Sequence, residues 1–357
     1  MKKRPTIKDV ARKTDLSVST VSLAINKTGY ISEQTRQKVL QAVEELGYHP
    51  THAARGLASR KSGNFGFVLQ DDHFSQAEPF YTKIFLGAEF EARTSDYYIL
   101  LTTVTRECKF KEEIPRFLLE RNVDGVIIAG KINERLVQYI DSVGIPLVMV
   151  DYELKRRRHS SIMIDNRHGV EMALQHFIDN GRTDIGFVGG DVEHPSIAER
   201  FDAFKETLKG QQCAVKEECV VADEPETGIQ NGFDAMKRIL ERGGKPNAVF
   251  AANDAMAIGC MQYLKQQEVS IPDDIAIVGF DDIELGTHVE PALTTLRVFK
   301  EEMGKLAVQQ LVDAVHAKSN ALVTVRVPVE LIIRGSTNGR PDGHAGTRSA
   351  TSVLQVS

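Results

Sequence analysis

Residues 6–26 read TIKDVARKTDLSVSTVSLAIN, and their apolar side chains follow two helical repeats separated by a short polar turn. Ile7, Val10 and Ala11 recur at the spacing that places side chains on one face of an α-helix. A second repeat begins after Ser17, a candidate N-cap. The pattern predicts two short helices joined by a tight turn, which is typical of a helix-turn-helix.

The second predicted helix has two different faces. At about 100° per residue, Val21, Ala24 and Ile25 gather on one side, which suits packing inside a small domain. The opposite side carries a mixed set of residues: Val18, Ser19, Ser22 and Leu23. This second face is free to contact a partner.

Charge is distributed unevenly along the chain. Residues 1–63 contain 12 Lys and Arg against 5 Asp and Glu, whereas the whole chain has a net charge of −5. The remainder is therefore strongly acidic. A compact basic module on an acidic body indicates attraction to phosphates at one end only, as in a DNA-binding protein.

Length and composition indicate a soluble protein of about two to three domains, with 357 residues of which 42% are hydrophobic and 26% charged. No apolar run is long enough to span a membrane, and the N-terminus lacks the apolar core of a signal peptide. We therefore expect a cytoplasmic protein. The four cysteines show no metal-type spacing, so we expect reduced thiols and no metal site.

Residues 32–50 complete a small N-terminal domain. Ser32 is a candidate cap for a third helix, which Gly47 and Pro50 end. Residues 51–63, THAARGLASRKSG, form a linker with helix-forming residues, too short to be a stable helix alone. We expect this linker to become ordered only on contact with a partner.

Beyond Gly63, short apolar runs alternate with amphipathic helical patterns. Candidate strands are residues 65–69, 97–102, 125–129, 147–151, 161–164, 185–188, 249–252 and 275–279. Candidate helices are residues 80–93, 167–179, 229–240 and 255–267. Apolar strands that alternate with helices indicate parallel sheets covered on both faces, and this length favours two doubly wound halves.

Polar residues follow several of these strands: Asp151, Asp165, Asn253 with Asp254, and Asp281 with Asp282. The carboxyl edge of a parallel sheet is where ligands bind, but the same residue types also cap helices. We favour the capping role for Asp165 and Asp254. For Asn253 and Asp281 we favour contact with a ligand.

The chain offers no constellation for catalysis. It has no GxGxxG after the first strand, no P-loop and no GxSxG. The Gly-rich FVGGD of residues 187–191 is explained by a tight turn from strand to helix. We therefore expect neither an enzyme nor a cofactor.

Several separated motifs occur in one order: TIKDVA, STVSLAIN, YHPTHAARGLAS, IDNRHGV, ANDAMAIG, IPDDIAIVGFDD and PALTTLRV. In this they resemble the lactose-repressor (LacI/GalR) family of bacterial transcription regulators, over residues 5 to about 338. The resemblance implies an α plus α/β fold: a three-helix headpiece with a helix-turn-helix, a hinge, and a two-subdomain doubly wound core similar to periplasmic sugar-binding proteins. It also implies a homodimeric regulator, with repression favoured.

The same resemblance divides the chain into segments. These are the headpiece 1–50, the hinge 51–63, an N-subdomain of 64–162 plus 292–324, a C-subdomain of 163–291 plus 325–337, and a disordered tail 338–357. The chain is expected to cross between subdomains near residues 162, 292 and 325. The tail lacks the leucine heptads that join dimers, so a dimer is favoured over a tetramer.

In this family the second helix of each headpiece lies in the major groove of a pseudo-palindromic operator. The resemblance assigns base reading to Val18, Ser19 and Leu23. It assigns contacts with the DNA backbone to Thr6, Ser17, Thr20, Ser22 and Asn26. Many family members have Arg where Leu23 stands; because Leu offers only apolar contact, for instance to a thymine methyl, we expect an operator different from the common one.

The resemblance also implies that residues 51–63 become hinge helices when both subunits dock on DNA. Ala54, Leu57 and Ala58 would then lie at the minor groove, with Leu57 as a wedge between base pairs. The alternative is that Leu57 packs with Ala53 and Ala54 against the core.

For the core, the resemblance implies an effector between the subdomains. It places six residues there: Phe80, Tyr81, Asp151, Arg200, Asn253 and Asp281. Carboxylate, amide, guanidinium and aromatic groups together suit a polyhydroxylated ligand such as a sugar, although a purine or nucleoside is also compatible. Alternatively, Arg200 braces a helix and the aromatic pair belongs to the core. The run Lys155 to Arg158 is either a solvated loop or a contact for a phosphate on the effector.

The mechanism that the family implies couples the two sites. Closure of the core on an effector would permit or forbid hinge-helix formation and so change operator affinity. Release of DNA by a sugar is favoured, and the alternative is a sugar- or nucleoside-binding protein that activates transcription or represses with a corepressor. We expect a location in the cytoplasm, associated with the nucleoid, and no membrane partner.

Overall fold

The computed structural model describes residues 5–25, 29–48, 61–71, 80–105, 114–154, 159–316 and 321–337, and the backbone of 355–356. The chain divides into two compact units. The small unit is Met1–Asn64 with Asn122–Asp124, and the large unit is Phe65–Arg121 with Gly125–Ser357.

Three helices build the small unit: α1 (Ile7–Thr14), α2 (Val18–Ile25) and α3 (Glu33–Leu46). The N–H and the hydroxyl of Thr6 donate to the Asp9 carboxylate at 2.9 and 2.7 Å, which starts α1. Ser17 accepts from the Thr20 N–H at 3.0 Å and starts α2. Gly47 ends α3 with a φ of 61°, where glycine avoids a Cβ clash. The three predicted helices are confirmed.

One apolar cluster holds these helices together. Val10, Val21 and Val39, one from each helix, are fully buried in it. Burial of each such side chain contributes roughly 1.5–3 kcal/mol. Because α2 turns Val21 and Ala24 into this cluster, its opposite face points away from the core of the small unit.

Strands and helices alternate through the rest of the described chain. The first half contains β1 (Asn64–Gln70), α4 (Phe80–Thr94), β2 (Tyr98–Val104), α5 (Arg116–Leu119), β3 (Gly125–Ala129), α6 (Glu134–Val143), β4 (Leu147–Val150), β5 (Ser160–Ile164) and α7 (Asn166–Asp179). The second half contains β6 (Ile185–Gly190), α8 (Pro195–Gly210), β7 (Val220–Glu224), α9 (Ile229–Glu241), β8 (Ala248–Ala251), α10 (Asp254–Gln266), β9 (Ala276–Asp281), β10 (Thr294–Val298), α11 (Lys300–Val315), β11 (Thr324–Val327), β12 (Val329–Ile332) and β13 (Gln355–Val356).

These strands form two sheets. The seven-stranded sheet has the order β13-β11-β5-β4-β3-β1-β2, and the six-stranded sheet has the order β12-β10-β9-β8-β6-β7. The central strands of both sheets pair in parallel, whereas β12 and β13 pair antiparallel at the edges. Central strands such as β3 are buried along their whole length, as parallel strands covered by helices must be. The predicted fold of a helical headpiece and a two-sheet α/β core is confirmed.

Between β1 and β12 the chain crosses between the two sheets three times: after β5, after β10, and between β11 and β12; β13 belongs to the seven-stranded sheet again. The predicted crossing near residue 292 is wrong, because Thr294 in β10 pairs with Val278 of β9 in the six-stranded sheet. The predicted crossings near 162 and 325 are early, since β5 continues to Ile164 and β11 to Val327 in the seven-stranded sheet. A crossing follows the last hydrogen-bonded residue of each strand, which periodicity alone does not locate.

The eight candidate strands and four candidate helices are all present, each within two residues of its predicted ends. The structure adds β7, β10, β11 and β12, together with α5, α6, α8 and α11. In the tail, predicted to be disordered, β13 pairs with β11, and residues 338–354 and 357 lie outside the described part. In the described part of the chain, no helix is long and apolar enough to cross a membrane.

Helices α4 and α11 approach each other through two glycines. A Cβ on Gly87 would lie 1.9 Å from the carbonyl oxygen of Glu301, and one on Gly304 would lie 1.9 Å from that of Ile84. Only glycine allows the two backbones to touch at this distance. The contact holds the start of α4 beside the start of α11.

Candidate functional site

The outward face of α2 is the first candidate site. Val18 is 42% and Leu23 is 39% exposed on this face, and Ser19 is exposed beside them. The three predicted base readers therefore share one accessible surface of the small unit. Their contact with bases stays a prediction.

The residues predicted to contact the DNA backbone are partly engaged within the protein. The Ser17 and Thr20 hydroxyls lie 2.8 Å apart in a hydrogen bond, and the Thr6 hydroxyl donates to Asp9. A hydroxyl keeps further capacity to donate or accept. Ser22 is half-buried. Several predicted site residues lie outside the described residues: Asn26, Ala54, Leu57, Ala58, and the run Lys155 to Arg158.

A cavity of about 330 Å³ in the large unit is the second candidate site. It lies where strands of both sheets end, and its size suits a small molecule. The six residues predicted to bind an effector all line it: Phe80, Tyr81, Asp151, Arg200, Asn253 and Asp281. Other lining residues include Gln70, Lys131, Asp191, His194, Ser196 and Glu226.

Asp151, directly after β4, is the centre of a buried polar cluster. Its carboxylate accepts from the Tyr81 hydroxyl at 3.1 Å and from the Ser196 hydroxyl at 2.6 Å. Burial and the nearby Asp151 charge raise the pKa of the Tyr81 hydroxyl well above its usual value, so Tyr81 is a neutral donor. The ring of Tyr81 packs in the apolar core, as the alternative interpretation held, and its hydroxyl lines the cavity; contact with an effector stays a prediction.

His194 closes one side of this cluster. Its Nδ1 accepts from the Ser196 N–H at 3.3 Å, which leaves the proton of the neutral ring on Nε2. Nε2 lies 3.4 Å from the Tyr81 hydroxyl and 3.8 Å from Asp151. Burial lowers the pKa of His194 although Asp151 opposes this effect, so the ring is a neutral donor at pH 7.

Arg200 in α8 is 3% exposed and is held on several sides. Its Nε donates to the Asn166 side chain at 2.8 Å, and its Nη1 donates to the carbonyl of Ala252 at 2.6 Å. The guanidinium carbon lies 3.6 Å from the centroid of the Phe280 ring. Arg200 therefore does brace the surrounding elements, as the alternative interpretation held, while it also lines the cavity.

Asp281 ends β9 with a φ of 112°. Its Oδ1 is buried without a hydrogen bond among the described residues, since Nη2 of Arg200, at 3.6 Å, is too distant. Burial raises the pKa of Asp281 to about 6, although Arg200 and Lys300 oppose the shift. This oxygen is an acceptor that a ligand donor could satisfy.

Two other cavity carboxylates, Asp151 and Asp191, also have positive φ values, of 56° and 42°. Residues other than glycine seldom adopt this region, and where they do the strain often marks a functional site. At the carboxyl ends of three strands, the backbone thus turns a carboxylate toward the cavity.

The predicted helix caps are correct for Asp165 and wrong for Asp254. Asp165 caps α7, as predicted, by accepting from the His168 N–H. The cap of α10 is Asn253, which accepts from the Met256 N–H at 2.9 Å, and not Asp254. Asp254 is buried and accepts from the Thr295 hydroxyl and the Ile283 N–H at 2.5 and 2.8 Å.

Several lining residues were missed at the level of sequence. Lys131 and Asp191 follow β3 and β6, so the rule that selected Asp151 could have found them. The Lys131 ammonium lies 2.8 Å from Glu193 and 3.5 Å from Asp191. His194 and Ser196 start α8 without a pattern that marks them. No cluster of potential metal ligands occurs within the described ranges.

Comparison with known proteins adds two family matches. Residues 6–51 match the family described as bacterial regulatory proteins, lacI family, and residues 174–337 match the periplasmic binding protein-like domain. The chain is 30% identical over 333 residues to the HTH-type transcriptional repressor PurR of Vibrio campbellii, with 93% of this chain and 98% of that protein covered.

Two solved structures are similar over almost the whole chain. The transcriptional regulator CelR–cellobiose complex is 29% identical with a TM-score of 0.72, covering 93% of this chain and 100% of that one. The lac repressor dimer bound to operator and the anti-inducer ONPF is 25% identical with a TM-score of 0.77, covering 94% and 99%.

Proposed function

The chain belongs to the lacI family of bacterial regulatory proteins, and from this premise we propose that an uncharged polyhydroxylated metabolite in the core cavity releases it from its operator. It is a DNA-binding transcriptional repressor that acts as a dimer.

On the DNA side, we propose that α2 enters the major groove with Val18, Ser19 and Leu23 against the bases. The exposure of this face supports the assignment. Five polar residues then contact the DNA backbone: Thr6, Ser17, Thr20, Ser22 and Asn26. The hinge residues Ala54, Leu57 and Ala58 complete the contact at the minor groove.

On the effector side, the observation that carries the proposal is the unsatisfied Oδ1 of Asp281 in a cavity rich in acceptors. A ligand hydroxyl can donate to this oxygen, and the Phe80 ring can cover the apolar side of a sugar ring. The related CelR was solved with cellobiose, which supports a carbohydrate.

The charges of the cavity argue against a phosphorylated effector. Four described lining residues are carboxylates, Asp151, Asp191, Glu226 and Asp281, against two cations, Lys131 and Arg200. Lys131 is engaged with Asp191 and Glu193, and Arg200 with Asn166 and Ala252. An anionic ligand would therefore meet net repulsion.

The proposal also places the protein in the cytoplasm, on the nucleoid, because that is where an operator is found. Catalytic turnover has no part in it. A turnover assay across sugars would detect an enzyme, whereas DNA footprinting detects the repressor.

The test begins with the purified protein and sheared genomic DNA from the same bacterium. We expect the protein to retain one or a few fragments and to protect a pseudo-palindromic site in footprinting. Small-molecule fractions of a cell extract are then added, and an uncharged fraction should release the DNA. Release only by a phosphorylated fraction, or retention that requires a small molecule, would contradict the proposed effector role.

A further inference from the structure

We infer that Asn166 and Glu199 are positioning residues that connect Arg200 at the cavity to Arg326 on the seven-stranded sheet, and that this connection transmits the effector response. The inference rests on the proposed function, because it assigns a route to that response. Neither Asn166 nor Glu199 lines the cavity.

The route begins at Arg200, whose freedom to move is small. Its Nη1 is bonded to the Ala252 carbonyl and its guanidinium lies on the Phe280 ring, so both contacts tie it to the six-stranded half. Its Nη2 faces Asp281 at 3.6 Å, and its Nε donates to Asn166 at 2.8 Å. A ligand that moves Arg200 or Asp281 therefore changes the bond to Asn166.

The Asn166 side chain is fully buried and is bonded at both ends of its amide. Its Oδ1 accepts from Arg200, and its Nδ2 donates to Glu199 Oε2 at 3.1 Å. The other oxygen of Glu199 accepts from Arg326 Nη1 at 3.0 Å. In a connected network of this kind, a change at one bond alters the strength of its neighbours.

The two ends of the route, Arg200 in α8 and Arg326 in β11, lie in different halves of the core. Asn166 begins α7 just after the first crossing, and Arg326 lies in β11 just before the third. In the register of β5 and β11, Arg326 is paired with Met163, so the two crossings are adjacent. Crossings are the segments that change when two halves close on a ligand. The route therefore joins the cavity to the segments whose geometry differs between open and closed states.

Glu199→Gln tests the connection because it keeps the volume of the side chain nearly constant and changes no residue that lines the cavity. A carboxylate accepts from both Asn166 and Arg326, whereas an amide has one acceptor oxygen, so one of the two bonds is lost. The probes are the operator fragment and the extract fraction that releases the wild-type protein. Fluorescence anisotropy gives the operator Kd with and without a saturating amount of that fraction.

We expect the operator Kd of Glu199→Gln without the fraction to stay within about twofold of wild type. The ratio of the two Kd values, which measures the coupling, should fall at least about threefold. Arg326→Gln should give the same loss, and the double variant should be no worse than either single variant, because both break one connection.

Glu206→Gln is the matched control. Glu206 lies in α8, the helix that contains Glu199. Its ion pair with Arg167, the residue after Asn166, also joins α7 to α8. This variant should keep the wild-type ratio of Kd values. A loss of coupling equal to that of Glu199→Gln would show a general weakening of the helix pair and would overturn the inference.

Two further outcomes also overturn it: a wild-type ratio in Glu199→Gln, or losses in Glu199→Gln and Arg326→Gln that add in the double variant. A third outcome also contradicts the inference. If Glu199→Gln changes only the amount of fraction needed for half-maximal release, and keeps the wild-type ratio of operator Kd values, Glu199 affects ligand affinity alone. If no fraction releases the wild-type protein, the proposed function itself fails and the inference falls with it.

Discussion

Leu23 leaves 39% of its surface exposed on the outer face of α2, although Val21 and Ala24 in the same helix are buried. An arginine in its place would read guanine through paired hydrogen bonds, whereas leucine offers only methyl groups to the major groove. Residue 23 is therefore expected to decide one base of each operator half-site.

Leu23→Arg should move the preferred base at one position of each half-site toward guanine, with a discrimination of about 1–3 kcal/mol. Selection from randomised double-stranded DNA followed by sequencing measures this preference. Leu40→Arg is the matched control, because Leu40 in α3 is 44% exposed in the same small unit. Identical selected sequences for Leu23→Arg and wild type would show that residue 23 does not read a base.

Asp281 is the residue in the cavity whose charge state is most altered by the fold. Its pKa of about 6 exceeds the ordinary value of 3.8 because the carboxyl is buried. The folded state thus binds the proton more tightly than the unfolded state. This contributes stability below about pH 4, and the contribution is lost as the pH rises through about 6.

Asp281→Asn removes this dependence. The difference in melting temperature between the variant and wild type should therefore shift in favour of the variant from pH 4 to pH 7. This shift should correspond to at most about 3 kcal/mol in the free energy of unfolding. Calorimetry of the main transition measures the difference. Asp273→Asn, at an exposed position, should show no such trend. A constant difference between wild type and Asp281→Asn would mean that folding does not raise the pKa of Asp281.

Among the elements, the pair of α4 and α11 leaves little room for a larger side chain at its two glycines. The carbonyl of Ile84 lies where a Cβ on Gly304 would stand, and backbone atoms cannot move aside as a flexible side chain can. Phe80 begins α4 and Lys300 begins α11. The Lys300 ammonium lies 5.7 Å from the centroid of the Phe80 ring. The close contact thus positions part of the cavity wall.

Gly304→Ala should lower the melting temperature of the core, with a loss in the range of about 1–3 kcal/mol expected for overpacking. Thermal unfolding followed by circular dichroism measures it. Gly210→Ala is the control, because a Cβ at this helical glycine of α8 meets nothing within 4 Å. That variant should be neutral or gain about 0.5–1 kcal/mol. Equal stability of the two variants would contradict the close packing of α4 on α11.

Over the whole molecule, basic residues are concentrated in the DNA-binding part and acidic residues in the remainder. The N-terminal 63 residues contain 12 cationic and 5 acidic residues in a chain whose net charge is −5. Attraction to DNA is therefore confined to one end, and the acidic remainder opposes nonspecific binding along the rest of the surface. Because the proposed effector carries no charge, we expect its affinity for the cavity to depend little on this distribution of charge.

Salt should consequently affect the two ligands differently. Operator affinity should fall by roughly 10³-fold or more between about 50 and 200 mM salt if about six phosphates are neutralised. The amount of extract fraction that gives half-maximal release should change little over the same range. A steep salt dependence of the effector midpoint would indicate a charged effector. Operator affinity that is independent of salt would contradict binding through the basic headpiece.

The amino-acid sequence by itself determined most elements of this protein and the character of both candidate sites. Helix caps such as Thr6 with Asp9, apolar periodicity and turn residues act between neighbours in the chain, so they can be recognised without the fold. Family motifs then placed six side chains in one cavity, which the geometry of the structure supports. The exposed face of α2 also follows from periodicity alone.

Only the tertiary structure decided which sheet β10 joins and which groups surround the cavity carboxylates. The hydrogen bonds of Ser196 to Asp151, and of Glu199 to Arg326, connect elements whose positions depend on strand pairing. The pKa of Asp281 depends on the burial that those elements create. Such properties arise from distances between residues far apart in sequence, and local patterns carry no information on those distances until the sheets are assembled.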